Sequence, residues 1–433
     1  VNQALIKLVL IILFGHFSKF VSAGNFGTFD PRSQAMGGAS IAVGSVGMAA
    51  GHNPSLLGLF NEDEDKSRNG RYYLPYVVGS LSQVAIDSIK LINDELDIIF
   101  DNALNGYNID PNQDTAAIAS TTAMNLENAL LKIANQDITF SLFAPLIAVA
   151  EPSKKGGGAF YVGTRIEGGG RSNIPDADVE LFDDYVDALN NVANGGYWRD
   201  VHPELFNADP AYIDFPPPPL NNPFDQVNSN AEIRGLIINE VAVAGAIGFD
   251  RENLRVALGV TPKAMQIRVF DESREVSNDS LDVDTTYEPF TMFNADIGVT
   301  IDFDSGVRLA YVGKDLFTRS FLTDSGAIVE LNAKHRMGMA YLRPSWQIGV
   351  DYDLKLNQPN ATERTGQFLS MGGEYTLFGH FALRAGYRFD TDNQLPGLLT
   401  FGFGAEWSRA QFNFSYSKSS EEQGAGFQVG FGF

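Results

Sequence analysis

The chain has 433 residues, no cysteine and a formal net charge of −22. Absent thiols exclude disulfides, thiolate metal centres and cysteine nucleophiles, and the acidic balance argues against a phosphate-neutralising nucleic-acid surface. A mean hydropathy of −0.09 excludes a helical membrane protein, whereas 43 glycines, 32 phenylalanines and 15 tyrosines suit strands and interfacial aromatic girdles.

Residues 1–23 read as a secretory signal: Lys7 is the charged start, Leu8 to Phe14 the apolar core, and Val21-Ser22-Ala23 the small residues for cleavage. Gly24 then begins the mature chain. Residues 24–60 are rich in Gly, Ala and Ser, which permit close backbone packing and positive φ in a confined space. Their landmarks are Gly37, Gly38 and the turn Asn53-Pro54-Ser55. A segment lodged in a lumen and a flexible leader are both open readings.

Residues 61–433 form the main body. Beyond Gly70, alternating segments of about nine to eleven residues recur, the length a tilted strand needs to cross a bilayer. Expected strands cover residues 71–79, 138–150, 158–168, 239–249, 254–271, 289–303, 307–318, 334–342, 345–356, 367–377, 380–390, 398–407, 410–418 and 425–433. That is about 14, and single-chain bacterial barrels have an even count. Pro262 predicts a bulge or split in its strand. Connections alternate between tight turns, such as Asp304-Ser305-Gly306 and Phe378-Gly379, and longer loops, the largest at residues 80–137 and 169–238. Outer-membrane barrels pair short periplasmic turns with long extracellular loops, which places both termini in the periplasm.

The first insertion carries an apolar stripe, Leu81, Ala85, Ile89, Ile92, Leu96, Ile99 and Ala103, that predicts one helix closed by Gly106. A second helix, capped by Asp110 with Pro111 in its first turn, would bury Ala119, Ala123, Leu126, Leu130 and Ile133. The second insertion holds Asp176, Asp178, Glu180, Asp183, Asp184 and Asp187, then Pro216 to Pro219. The acids read as a solvated helix, with a Ca²⁺ site as the alternative; the prolines read as a stiff brace.

Strand parity turns Phe381, Leu383, Ala385, Tyr387 and Phe389 to lipid. Glu374, Arg384, Arg388 and Glu406 then face the lumen, with Asp351, Asp353 and Lys355 one strand further back. The expectation is a charge ladder that rigidifies the wall, or a polar constriction that meets a substrate carboxylate. His52, His202, His335 and His380 lack Gly-x-Ser-x-Gly and His-Glu-x-x-His contexts, so the chain reads as a non-enzyme without cofactor or metal. In the last strand Phe427, Val429, Phe431 and Phe433 share one face, and Gly426, Gln428, Gly430 and Gly432 the other.

The small-residue stretch ending in Asn53-Pro54-Ser55, with the aromatic terminal strand, resembles the FadL-type hydrophobic-compound transporters and the neighbouring conjugal-transfer TraF-like group. Ser55 stands where those families usually have Ala. The resemblance covers the N-terminal segment and the C-terminal half, and residues 61–238 are largely this chain's own. It implies an all-β transmembrane antiparallel barrel with a luminal hatch containing Gly37, Gly38, Asn53 and Pro54, and helical extracellular insertions. It also implies that Phe427, Val429, Phe431 and Phe433 are read by the outer-membrane insertion machinery. Two functions follow as expectations: a passive conduit or binding protein for hydrophobic small molecules, or an envelope scaffold for conjugation or secretion machinery. The partners would be outer-membrane lipid, the insertion machinery, and a hydrophobic ligand or envelope proteins.

Overall fold

The computed structural model describes residues 27–59, 70–93, 95–153, 156–208, 216–275, 289–323, 325–357 and 364–433. The signal expected over residues 1–23 lies outside them, as does most of the connection 272–288. The strands in chain order are β1 Arg71–Tyr73, β2 Val77–Ser82, β3 Asp137–Glu151, β4 Gly157–Asn173, β5 Asn230–Arg251, β6 Leu254–Glu275, β7 Phe290–Phe303 and β8 Val307–Lys314. They continue as β9 Arg319–Leu322, β10 Ile328–Leu331, β11 Lys334–Arg343, β12 Trp346–Asp353, β13 Phe368–Leu377, β14 Phe381–Asp390, β15 Leu398–Trp407, β16 Ala410–Lys418 and β17 Glu422–Gly432.

All but β9 and β10 form one antiparallel sheet of 15 segments, in which β1 and β2 both pair with β17 on one side and β3 on the other. They are the two halves of a single first strand, so the closed barrel has 14 strands. Closure runs through Tyr72↔Phe431 at one end and Gly79↔Ala425 at the other, so the barrel's first and last strands pair with each other and are not left as edges. Outside, Val241, Val243, Leu258, Phe293, Met339, Ile348, Leu383, Phe401, Phe414 and Phe427 are exposed. The opposite parity is buried, which is the alternation that lipid imposes. Trp407, Phe378 and Phe433 gather at the short-turn end, where Phe378 and Ser408 take left-handed φ of 53° and 56° to make two-residue turns.

The wall has two heights. β11 to β17 span 8 to 11 residues, whereas β4 spans 17 and β5 and β6 span 22 each. At roughly 3.3 Å per residue the tall strands rise well beyond the hydrocarbon core. Pro262 neither bulges nor splits β6. Ala242↔Lys263 and Gly245↔Val260 keep one register, and Pro262 itself stays aligned with Ala295 of β7. Only the β5 rungs beside the proline are lost, because its missing N–H cannot donate. The register shift of the wall falls instead between Pro145 and Ile147 of β3.

The long-loop end carries a helical domain. In place of one helix over residues 81–106, β2 continues to Ser82 and two helices follow, α3 Gln83–Asn93 and α4 Leu96–Ile109. (The short helices of the N-terminal segment, α1 Pro31–Ala35 and α2 Ala49–His52, precede them.) Glu95, just before α4, is left-handed at φ 51°, and Gly106 sits inside α4. The break rotates the stripe by one position, so Phe100, Leu104 and Tyr107 are buried and Ile99 is exposed. The next helix, α5 Gln113–Ile133, is capped by Asn112 in a capping box with Thr115, two residues later than expected. Its expected stripe, Ala119, Ala123, Leu126, Leu130 and Ile133, is buried. These residues pack on Phe182, Tyr185 and Leu189 of α6 Asp176–Ala193, with Trp198, Phe206 and Leu220 completing one core. Pro216 to Pro219 brace that core: Tyr107 Oη donates to Pro218 O at 3.3 Å and Asn207 N to Pro219 O at 2.7 Å. Burial, with Asp225 adding to it, raises the Tyr185 phenol pKa.

Candidate functional site: the filled lumen

Residues 27–59 lie inside the barrel, most of them buried. The sequence makes this possible twice over. Asp30 caps α1 through Ser33 N at 2.7 Å, and Asn53 caps a 3₁₀ turn with Pro54 at its start, so the segment satisfies much of its own backbone. Small residues then let backbone meet backbone. Gly37 is left-handed at φ 70°, and a Cβ there would stand 2.7 Å from Met371 O. A Cβ on Gly386, opposite, would strike Gly37 N.

The wall holds this segment largely by its main chain. Asp351 Oδ2 accepts Ser40 N at 2.7 Å and Ile41 N at 3.0 Å. Arg336 donates to Gly38 O at 3.1 Å, Arg308 to Ala42 O at 3.2 Å and Arg255 to Gly58 O at 2.7 Å. Thr400 Oγ1 donates to Ala35 O and accepts from Gly37 N, both at 2.9 Å. Asn53 Nδ2 donates to Ile41 O at 2.7 Å and Thr300 Oγ1 at 3.0 Å. Ser55, the departure from the family pattern, uses its hydroxyl: Oγ donates to Asn53 Oδ1 at 2.6 Å and lies 2.6 Å from Thr300 Oγ1.

Asp30, Ser33 and His52 converge in the same segment and are buried. Ser33 Oγ and Asp30 Oδ2 both lie 3.4 Å from one ring nitrogen, His52 Nε2. A catalytic relay uses the two nitrogens for different partners, so this is a packed polar clasp.

The expected four-residue ladder divides into three separate pairings. Glu374 meets Arg384 across its own rung, Nε to Oε2 at 2.5 Å, and also Arg32 of the luminal segment at 2.8 Å. Arg388 pairs instead with Glu422 at 2.7 Å, and Glu406 with Arg71 at 3.3 Å. Register is the reason. Arg384 and Arg388 are four residues apart on one strand, roughly 13 Å, and Arg384 aligns with Gly402, well away from Glu406. Asp351 and Asp353 are buried as parity requires, but Lys355 lies beyond the end of β12 and is exposed.

A larger ionic layer lies on residues that the sequence pattern does not link. On the tall wall Lys263 Nζ lies 2.7 Å from Asp296 and 2.5 Å from Asp315. Arg165 reaches Asp315 at 3.1 Å, Glu240 at 3.2 Å and Glu167 at 3.3 Å, and Lys334 closes on Glu167 at 3.3 Å. The same inward parity on β4 to β7 carries it. Asp315 follows the end of β8, in a stretch expected to be strand. Above the layer, Phe321, Val329 and Leu331 of the β9–β10 hairpin pack on Leu236, Ile238, Met265 and Ile267 of the inner wall.

Among the described residues, two cavities flank the filled region. One of about 270 Å³ at the long-loop end is lined by Arg171, Lys334, Arg364 and Arg388 together with Asp137, Glu167, Glu421 and Glu422. The other, about 480 Å³, lies at the short-turn end below the luminal segment. The acids of α6 do not assemble: among the described residues no group of three or more ligating side chains converges. Asp178 is instead buried, accepting Asn228 N at 2.9 Å. At the last strand, Phe427, Phe431 and Phe433 are exposed on the outer face with Val429 half-buried.

A closed antiparallel barrel with an apolar exterior, an aromatic rim and a filled lumen is an outer-membrane β-barrel. More particularly, the family model described as "F plasmid transfer operon, TraF, protein" matches residues 50–353, and the chain belongs to that family. None of the curated proteins matches the chain. Among solved structures it is similar to the Ralstonia pickettii toluene transporter TbuX, with 12% identity and a TM-score of 0.46 over 94% of this chain and 99% of that one. It is also similar to the CymD monoaromatic hydrocarbon channel, with 10% identity and a TM-score of 0.45 over 95% and 99%. For the P. putida toluene transporter TodX the values are 11%, 0.42, and 93% and 96%.

Proposed function

We propose that this protein is a closed envelope component of a conjugal-transfer or secretion assembly, anchored by its barrel and working through the helical domain. The observation that carries this reading is the filled lumen: residues 27–59 and the Arg165–Lys263–Asp315 layer lie between a cavity at the long-loop end and one at the short-turn end. Family membership supports the setting. The alternation of turn and loop lengths supports placing the short-turn end in the periplasm and the helices outside the cell. In that orientation the end of β17 faces the insertion machinery, and Phe427, Val429, Phe431 and Phe433 serve as its signal. Serine at Phe431 and Phe433 should then lower the folded, membrane-inserted fraction, and undiminished insertion would remove that role. Photo-crosslinkers at Ile109 and Ile118, exposed on α4 and α5, should capture a small, reproducible set of envelope proteins. Recovery of the insertion machinery alone would sink the assembly reading.

A second reading, a passive conduit for hydrophobic small molecules, has one observation in its favour. The first strand breaks at Pro75, beside the register shift at Pro145, and Tyr76 N reaches Pro145 O at only 3.4 Å. Behind this weak stretch an aromatic path leads inward, with Phe143 and Phe29 ring centroids 4.7 Å apart and Tyr76 Oη bonded to Phe29 O. Uptake of a lipophilic compound into whole cells should then rise when Asn53→Ala loosens the luminal segment. Equal uptake with wild type and variant counts against a conduit.

A further inference from the structure

The cavity at the short-turn end is built from guanidinium groups in a chain of net charge −22. Among the described residues, Arg32, Arg71, Arg308, Arg343 and Arg384 line it, with the carboxylates of Glu374 and Glu406. Arg71 pairs with Glu406 at 3.3 Å, and Arg308 with Asp302 at 2.8 Å. Arg32 and Arg384, both buried, share the one carboxylate of Glu374. That carboxylate is saturated: Oε2 accepts from both Nε atoms, and Oε1 accepts from Arg32 Nη2 at 3.3 Å and Gln347 Nε2 at 2.5 Å. The next carboxylate inward, Asp30, is turned to Ser33 N–H and His52. Arg343 leans on the Tyr341 ring, 4.5 Å from its centroid, and bonds the phenol oxygen. The cavity thus presents positive charge on its floor and rim, with amides of Gln411 and Asn413 between. A volume of about 480 Å³ falls in the range that suits a small ligand.

We propose that this vestibule binds a small molecule through a carboxylate or phosphate group. Guanidinium forks recognise both anions with paired, charge-assisted hydrogen bonds, and partial burial protects them from screening. The site is independent of whether the barrel conducts.

The test is titration calorimetry of the full chain, folded in a neutral detergent at low ionic strength, with inorganic phosphate and with succinate as separate probes. Saturable, one-site binding of either is expected, and the probe bound more tightly assigns the anion class. Arg343→Gln, at the rim and outside the luminal packing, should weaken it roughly ten- to a hundredfold, as loss of one charge-assisted bond does. Arg199→Gln, in the helical domain, should leave it unchanged. Because Glu62, Asp63, Glu64 and Asp65 are close in sequence to Arg71, the variant E62Q/D63N/E64Q/D65N is titrated alongside and should bind as tightly or more tightly. Heat-modifiable migration on a gel verifies that each variant is folded. The proposal is overturned if neither wild type nor the acid-free variant binds saturably, if chloride at matched ionic strength competes equally, or if Arg343→Gln binds as wild type does.

Discussion

The tall wall, β4 to β7, and the short wall, β11 to β17, solve the problem of a filled lumen differently. The tall wall grips the segment at its lower rungs, where Arg255 bonds Gly58 O and Thr300 meets Asn53 and Ser55, and above them it joins charged side chains to each other: Arg165, Lys263, Asp296 and Asp315 pair within the wall. The short wall turns its buried carboxylate, guanidinium and hydroxyl to the segment, with Asp351, Arg336 and Thr400 bonded to its backbone. Strand length accounts for the division. Strands of 22 residues have room above the segment for an ionic storey, a docked hairpin and the base of a helical domain. Strands that just cross the bilayer have inner faces given over to the segment. The lesson is that one barrel can hold a stability-bearing layer and a displaceable filling at the same time, because different partners secure them.

The most severe way to break the comparison is Lys263→Met. It leaves Asp296 and Asp315 facing one another with the lysine gone, and about 3–5 kcal/mol of barrel stability should disappear. Urea titration followed by heat-modifiable migration measures this, and an unchanged midpoint would show that the layer carries no load. Asp351→Ala, on the short wall, should cost roughly 2–3 kcal/mol by orphaning two buried N–H groups. Its effect should be local: protease sensitivity around Ser40 and Ile41 rises while the barrel midpoint holds. If the barrel midpoint falls as far as with Lys263→Met, the two walls are not separable. Asn112→Ala removes the α5 cap and should cost about 1 kcal/mol of the helical domain, read as faster hydrogen exchange in residues 113–120 alone. Smallest of all, Arg364→Gln breaks an exposed pair with Glu421 and should shift stability by less than about 1 kcal/mol.

Fourteen strands and the alternation of turn and loop lengths were legible because membrane strands carry a period-two signal over a fixed length. The α5 stripe was legible for the same reason at helical period. The α3–α4 break was not, since nothing about Glu95 in isolation announces a left-handed residue, and the rotation it causes moved burial from Ile99 to Phe100. Arg384 and Glu374 were legible as inward charges on adjacent strands. Their third member, Arg32, was not, because 342 residues separate it from Glu374 and no pattern links them.

By itself the sequence determined the alternating wall, its closure and the small-residue segment compact enough to enter it, since each follows from local spacing and side-chain size. Only the tertiary structure decided which charges meet. Strand register and shear set those distances, and a displacement of one rung moves a guanidinium by several ångströms. It placed Arg388 on Glu422, gathered Arg165, Lys263 and Asp315 into a layer, and set Arg32 beside Arg384 over a single carboxylate.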